Sequence, residues 1–152
     1  MGNYKVKCAV GKRGIATKKK EGDLITPKGK FKIKYILYRK DRVYSLKTKI
    51  KKIIIKKDMG WCNDSASQKY NKLIRFPSRY SAEKLYRSDN SYDIILVLDF
   101  NFKPIIKGKG SAIFIHVAKK NYKNTAGCIA LQKKDLRNLI KIINTKTIIY
   151  IN

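Results

Sequence analysis

The chain has 152 residues, carries 37 Lys plus Arg against 10 Asp plus Glu for a formal charge of +27, and is 43% hydrophobic. That length predicts one domain over 1–152, with one core and no separate cofactor domain. The apolar fraction, with ten Tyr and five Phe, is too high for a disordered polycation. The longest apolar runs, such as Ile94 to Leu98, are strand-sized, which excludes a transmembrane helix.

Thirty of the basic residues are Lys and seven are Arg, and Ile, Asn and Tyr are also abundant, a profile that AT-rich codon usage alone produces. Whatever its origin, the positive field favours acidic partners, and its effect on association weakens with salt. Cys8, Cys62 and Cys128 are odd in number and scattered, which argues against a disulfide framework and against a CxxC metal site. Neither a metal nor a cofactor is expected. The chain moves from Met1 straight into a strand-like pattern, so no export signal is expected either.

In chain order, Tyr4 to Val10 alternates Tyr, Val, Cys and Val against Lys, Lys and Ala, as a half-buried strand does. Gly11 to Gly14 is a turn. Thr17 to Lys30 is polar and punctuated by Gly22, Pro27 and Gly29, a loop that leads into a strand from Phe31 to Tyr38 with Phe31, Ile33, Tyr35 and Leu37 on one face. The basic stretch Lys47 to Lys57 encloses a short strand at Ile53 to Ile55. Trp61 to Ser78 lacks a period and reads as a second long loop, of the kind that tends to be functional. Tyr92 to Phe100 and Ala112 to Val117 are strands, and Cys128 to Leu131 is a short apolar segment. Leu136, Leu139, Ile140 and Ile143 fall at i, i+3, i+4 and i+7, predicting one helix over about 133–143. Thr145 to Ile151 closes the chain as a β-branched strand. Six or seven strands with one helix predict a mainly β fold with long loops, sandwich or barrel-like, rather than a parallel α/β sheet.

His116 is the only histidine, so an acid/base step needing an imidazole must use it. It ends the Ala112 to Val117 strand on the face of Ala112 and Phe114. Twelve residues on, Thr125-Ala126-Gly127-Cys128 places a cysteine directly after a glycine. A glycine there lets the chain turn sharply and bring backbone N–H groups beside the sulfur, where an oxyanion develops in acyl transfer. An imidazole beside a thiol can generate thiolate. A core-edge histidine and a buried core cysteine would give the same spacing.

Five ordered blocks now share a likeness. His116 at a strand end followed by Thr125-Ala126-Gly127-Cys128, Thr26-Pro27-Lys28-Gly29-Lys30-Phe31 at a strand start, Gly11 to Gly14, Trp61-Cys62-Asn63-Asp64 with Tyr70-Asn71, and Gly110 to His116 resemble the L,D-transpeptidase catalytic domain, or YkuD-like domain. The resemblance spans nearly the whole chain and implies an L,D-transpeptidase-like β-sandwich. It implies that Cys128 attacks a peptidoglycan donor stem to form a thioester, that His116 takes the thiol proton, and that Gly127 and Cys128 N–H groups form the oxyanion hole. Many members carry a His before the Gly and an Arg or Asn two residues after the Cys. Here those places hold Ala126 and Ala130, so substrate carboxylate binding passes to another group, with Arg13 and Arg79 as candidates. Thr125, Asn63 and Asp64 are further substrate-binding candidates, although Asp64 fits an Asx-turn equally well. Cys62 has no second histidine to activate it and is expected to be non-catalytic.

Other readings stay open. An L,D-carboxypeptidase forms the same thioester and resolves it with water instead of an amine. A basic nucleic-acid-binding β-domain would use the charge and the tyrosines, but the lysines are spread through every segment and form no RNP-like block. A pseudo-enzyme that only holds wall polymer is a third. The resemblance implies the periplasm or cell envelope, and the missing export signal implies the cytoplasm.

Overall fold

The computed structural model describes residues 5–152, and Tyr4 lies outside them. The strands, in chain order, are β1 (Cys8–Ala9), β2 (Ile15–Ala16), β3 (Thr26–Pro27), β4 (Gly29–Tyr38), β5 (Lys52–Ile54), β6 (Met59–Cys62), β7 (Leu73–Arg75), β8 (Ala82–Lys84), β9 (Ile94–Leu98), β10 (Phe114–Val117), β11 (Ile129–Leu131) and β12 (Ile148–Ile151), and the α-helix is α1 (Lys133–Ile142). The fold is mainly β. A seven-stranded sheet runs β1-β11-β10-β9-β4-β12 with β5 on the side of β4, a three-stranded sheet runs β7-β6-β8, and β2 pairs with β3.

The centre of the large sheet follows from β9 and β10, each buried along its whole length. Alternation divides their side chains between two layers. Ile94, Leu96 and Leu98 of β9 join Ile115 and Val117 of β10 under α1, whose Leu136 and Ile140 are fully buried. Ile95, Val97 and Phe114 face the other way, against Met59 and Trp61 of the small sheet and Leu85 beyond it. The helix starts and ends as its apolar spacing predicts, and Asp93, buried at the start of β9, ties the sheet to it through Lys133 Nζ at 2.9 Å and to the loop after β4 through Arg42 at 3.2 Å.

Three expectations change. A register shift between Ile33 and Tyr35 against β9 turns β4 over midway, so Ile33 and Ile36 lie in the helix layer while Tyr35 and Leu37 lie in the other. A bulge of this kind moves every later side chain to the opposite face, and simple alternation cannot foresee it. In β1 the inward residue is Ala9, opposite Ala130, and Cys8 is exposed. The segment Trp61 to Ser78 is not one loop, because β6 enters it and β7 lies within it. These strands are three or four residues long, and β6 is buried on both faces, so neither shows an alternating pattern.

Candidate active site

β10, β11 and the turn before β11 border a cavity of about 290 Å³ whose lining includes His116, Thr125, Gly127 and Cys128. β10 and β11 run parallel, with Ile115 opposite Ile129 and His116 opposite Ala130. Cys128 therefore lies one residue before the ladder, level with Phe114, and His116 is its diagonal neighbour on the same face. Phe114 N–H donates to the sulfur at 3.4 Å, and the thiol donates to the Ala112 carbonyl at 3.1 Å.

The turn that presents Cys128 is held by its own side chains. Thr125 Oγ1 accepts from Gly127 N–H at 3.1 Å and donates to the Cys128 carbonyl at 2.5 Å. Thr26 joins the same carbonyl at 3.5 Å while accepting from Gly11 N–H at 2.8 Å. Gly127 has φ of +143°, and a Cβ there would stand 2.9 Å from the Ile25 carbonyl oxygen, so both conformation and space require glycine. Beneath it runs Lys18, whose side chain is 2% exposed and whose ammonium is bound to Asp23 at 2.5 Å. A Cβ on Gly110, at φ +135°, would meet Lys18 Cε at 2.4 Å. Two glycines thus make the channel through which a buried cation reaches the cavity. Burial alone would raise the Asp23 carboxyl, but Lys18 and the N–H groups of Lys19, Ile25 and Lys20 overcome it and hold it at about 2.

His116 Nδ1 lies 2.9 Å from the Val117 carbonyl oxygen, which fixes the proton on Nδ1 and leaves Nε2 as the basic nitrogen. Its ring meets Tyr92 edge-on, with centroids 5.3 Å apart. Burial lowers the imidazole pKa below its usual value, partly opposed by the Val117 bond and aided by Arg87 and Lys119. Burial also pushes the Cys128 thiol up to about 12, and the Glu83 charge adds to this while Phe114 N–H and Lys18 oppose it. Both groups are uncharged at rest. The arrangement stores a neutral thiol beside a neutral base rather than a preformed ion pair.

Of the residues singled out from sequence, Cys128, His116, Gly127, Thr125 and Asn63 share this cavity. Asp64, Arg13 and Arg79 are not among its lining residues. Asp64 accepts from the N–H groups of Ala66 at 3.0 Å and Ser81 at 3.2 Å, holding a turn. Arg79 is exposed and stacks on Tyr80, and Arg13 is exposed on the Gly11 to Gly14 turn. Cys62 lines a different cavity, with Leu73 and Tyr80. The arginine in the cavity that holds Cys128 and His116 is Arg87, paired with Asp89 at 2.6 Å and stacked on Tyr92. Glu83, Arg87, Ser91 and Lys18 all line the cavity without a signal in the sequence, because each comes from a short or irregular segment whose placement depends on distant pairing. Glu21 and Tyr92 also line it.

Among the described residues no group of His, Cys, Asp and Glu could hold a metal, and no helix is long and apolar enough to cross a membrane. No curated protein and no solved structure matches the chain. The model of one family, YkuD, the L,D-transpeptidase catalytic domain, matches residues 2–151. With essentially its whole length covered, the chain belongs to the L,D-transpeptidase catalytic domain family.

Proposed function

We propose that the protein is a cysteine-dependent peptidoglycan L,D-transpeptidase. The observation that carries this reading is the presence of the sole imidazole and a glycine-preceded thiol on adjacent parallel strands, lining one cavity. His116 Nε2 takes the thiol proton as the sulfur attacks the donor carbonyl, and the Val117 carbonyl holds Nδ1–H in the tautomer that this requires. The imidazolium gives its proton to the departing amine of the terminal D-residue, leaving a thioester on Cys128. Because the resting thiol is held up at about 12, proton transfer and attack are coupled, and substrate supplies the trigger by closing out the remaining water.

Gly127 N–H is already committed to Thr125, which leaves Cys128 N–H as the oxyanion donor. Arg87, with Lys119 and Lys123 on the same cavity, takes the substrate carboxylate role in place of the arginine that Ala130 replaces. Asn63 and Thr125 are the neutral polar contacts. The cell envelope is the place where such a donor is found.

Product analysis tests the reading: purified protein incubated with a disaccharide tetrapeptide should give cross-linked dimer. Disaccharide tripeptide without dimer would reassign it to L,D-carboxypeptidase, and salt-sensitive nucleic-acid binding with neither product would remove it from the enzymes.

A further inference from the structure

Resolution of the thioester poses a proton problem that the Cys128–His116 pair does not solve. An acceptor ammonium that becomes an amide nitrogen must lose two protons, while the departing sulfur takes back one. The single imidazole can hold one at a time. A second proton acceptor in the cavity allows the acceptor to bind as the ammonium that predominates at neutral pH.

Two carboxylates line it, Glu21 and Glu83. Glu21 is bound by the Tyr70 phenol at 2.5 Å, and that phenol also accepts from Gly110 N–H at 2.9 Å, so Glu21 belongs to the packing around Lys18. Glu83, on β8, is placed opposite Trp61 of β6 and reaches the cavity from the small sheet. The Tyr92 hydroxyl donates to its Oε1 at 2.5 Å, and no other hydrogen bond to this carboxylate is found among the described residues. Of the two acids it is Glu83 whose charge acts on the Cys128 sulfur. Burial raises its carboxyl above the usual value, with Glu21 adding to the rise and Tyr92 and Arg87 opposing it, which suits a group that must both bind an ammonium and accept its proton.

A second observation points to a ligand on the same wall. Ser91 is 5% exposed, its hydroxyl has no hydrogen-bond partner among the described residues, and it lines the cavity beside Tyr92. A buried hydroxyl without a partner costs free energy unless something bound supplies one. Glu83, Ser91 and Tyr92 thus border the cavity from one ten-residue stretch.

We infer that this stretch is the acceptor side of the cavity and that Glu83 is the catalytic base that takes the first proton of the acceptor ammonium. The inference rests on the thioester reading above. The ammonium passes one proton to the Glu83 carboxylate and becomes a free amine. Its nitrogen attacks the thioester carbonyl, His116 Nε2 takes the second proton, the C–S bond breaks, and the sulfur recovers that proton from the imidazolium. The Glu83 carboxylic acid then releases its proton to solvent. While the thioester is in place the sulfur carries no charge, so the repulsion between Glu83 and a thiolate is absent when the carboxylate is needed.

The test separates acylation from aminolysis. Acyl-enzyme is formed from a disaccharide tetrapeptide and then challenged with methylamine, which is cationic at neutral pH, or hydroxylamine, which is not. Glu83→Gln should acylate no more slowly than the wild type, since it removes a charge that holds the Cys128 thiol up, lose about 100-fold in resolution by methylamine, at the lower end of what a general base supplies, and keep its rate with hydroxylamine. Equal loss with both amines, loss of acylation, or no loss at all would overturn the inference. Wild-type protein gives an arm that needs no variant: at fixed total methylamine the aminolysis rate should level off above the carboxyl's pKa, far below that of the amine. A rate that climbs log-linearly until the amine itself titrates would overturn it. Absence of any acyl-enzyme in the wild type would instead overturn the thioester reading, and the inference with it.

Discussion

The two faces of the large sheet are built on opposite plans. Under α1 the side chains are almost wholly apolar, with Leu136 and Ile140 fully buried and charge confined to the margin, where Asp93 meets Arg42 and Lys133. On the other face Trp61, Phe114 and Tyr92 pack in edge-to-face contact, and the apolar layer gives way at Cys128 to a cavity ringed by Lys18, Glu21, Glu83 and Arg87. One face is closed and apolar. The other keeps charged groups in fixed places around a thiol, at the cost of burying them.

That contrast can be broken by cutting each face in turn. The largest effect is expected from Asp23→Ala, which leaves the Lys18 ammonium buried and unpaired between Gly110 and Gly127. Removing one partner of such a pair costs about 3–5 kcal/mol, and urea unfolding should show that loss together with loss of acylation. Leu136→Ala, on the apolar face, should cost about 2–5 kcal/mol by cavity formation and leave the acylation rate of the folded fraction unchanged. A Leu136 variant that stayed stable, or an Asp23 variant that kept full stability and activity, would erase the distinction.

Acid should sharpen it by a smaller amount. The Asp23 carboxyl stands at about 2 in the folded protein against 3.8 for a free one, so its contribution is complete above about pH 4 and is lost as pH falls towards 2. Burial lowers the His116 pKa from 6.5, so the folded state favours the neutral ring and that contribution is lost as pH falls below 6.5. Unfolding midpoints followed from pH 7 to pH 2 should therefore fall in two stages. Asp41, Asp58 and Asp89, each lowered by an arginine partner, add to the acid stage, whereas the stage just below pH 6.5 belongs to His116 on the cavity face, and Leu136→Ala should shift the whole profile without altering its shape.

The apolar face was largely legible in the sequence, because Leu136, Leu139, Ile140 and Ile143 repeat with the helical period and β9 is a continuous apolar run. Strict alternation puts β4 on the wrong face past its bulge, since one extra residue is invisible to a count of two. In the cavity, sequence could single out the lone histidine and the Gly127-Cys128 turn, whose chemistry is local. It could not find Lys18, Glu83 or Arg87. Each is one basic or acidic residue among many, and only the pairing of β6 with β8 and the packing of Gly110 against Lys18 bring them to the sulfur.

In the proposed reaction Cys128 carries the acyl group. Intact-protein mass spectrometry after brief exposure to a disaccharide tetrapeptide tests it most directly. The expected adduct equals the donor less its terminal D-residue, is located on Cys128, is present in Cys62→Ala and is absent in Cys128→Ala. An adduct that persists in Cys128→Ala would contradict that assignment.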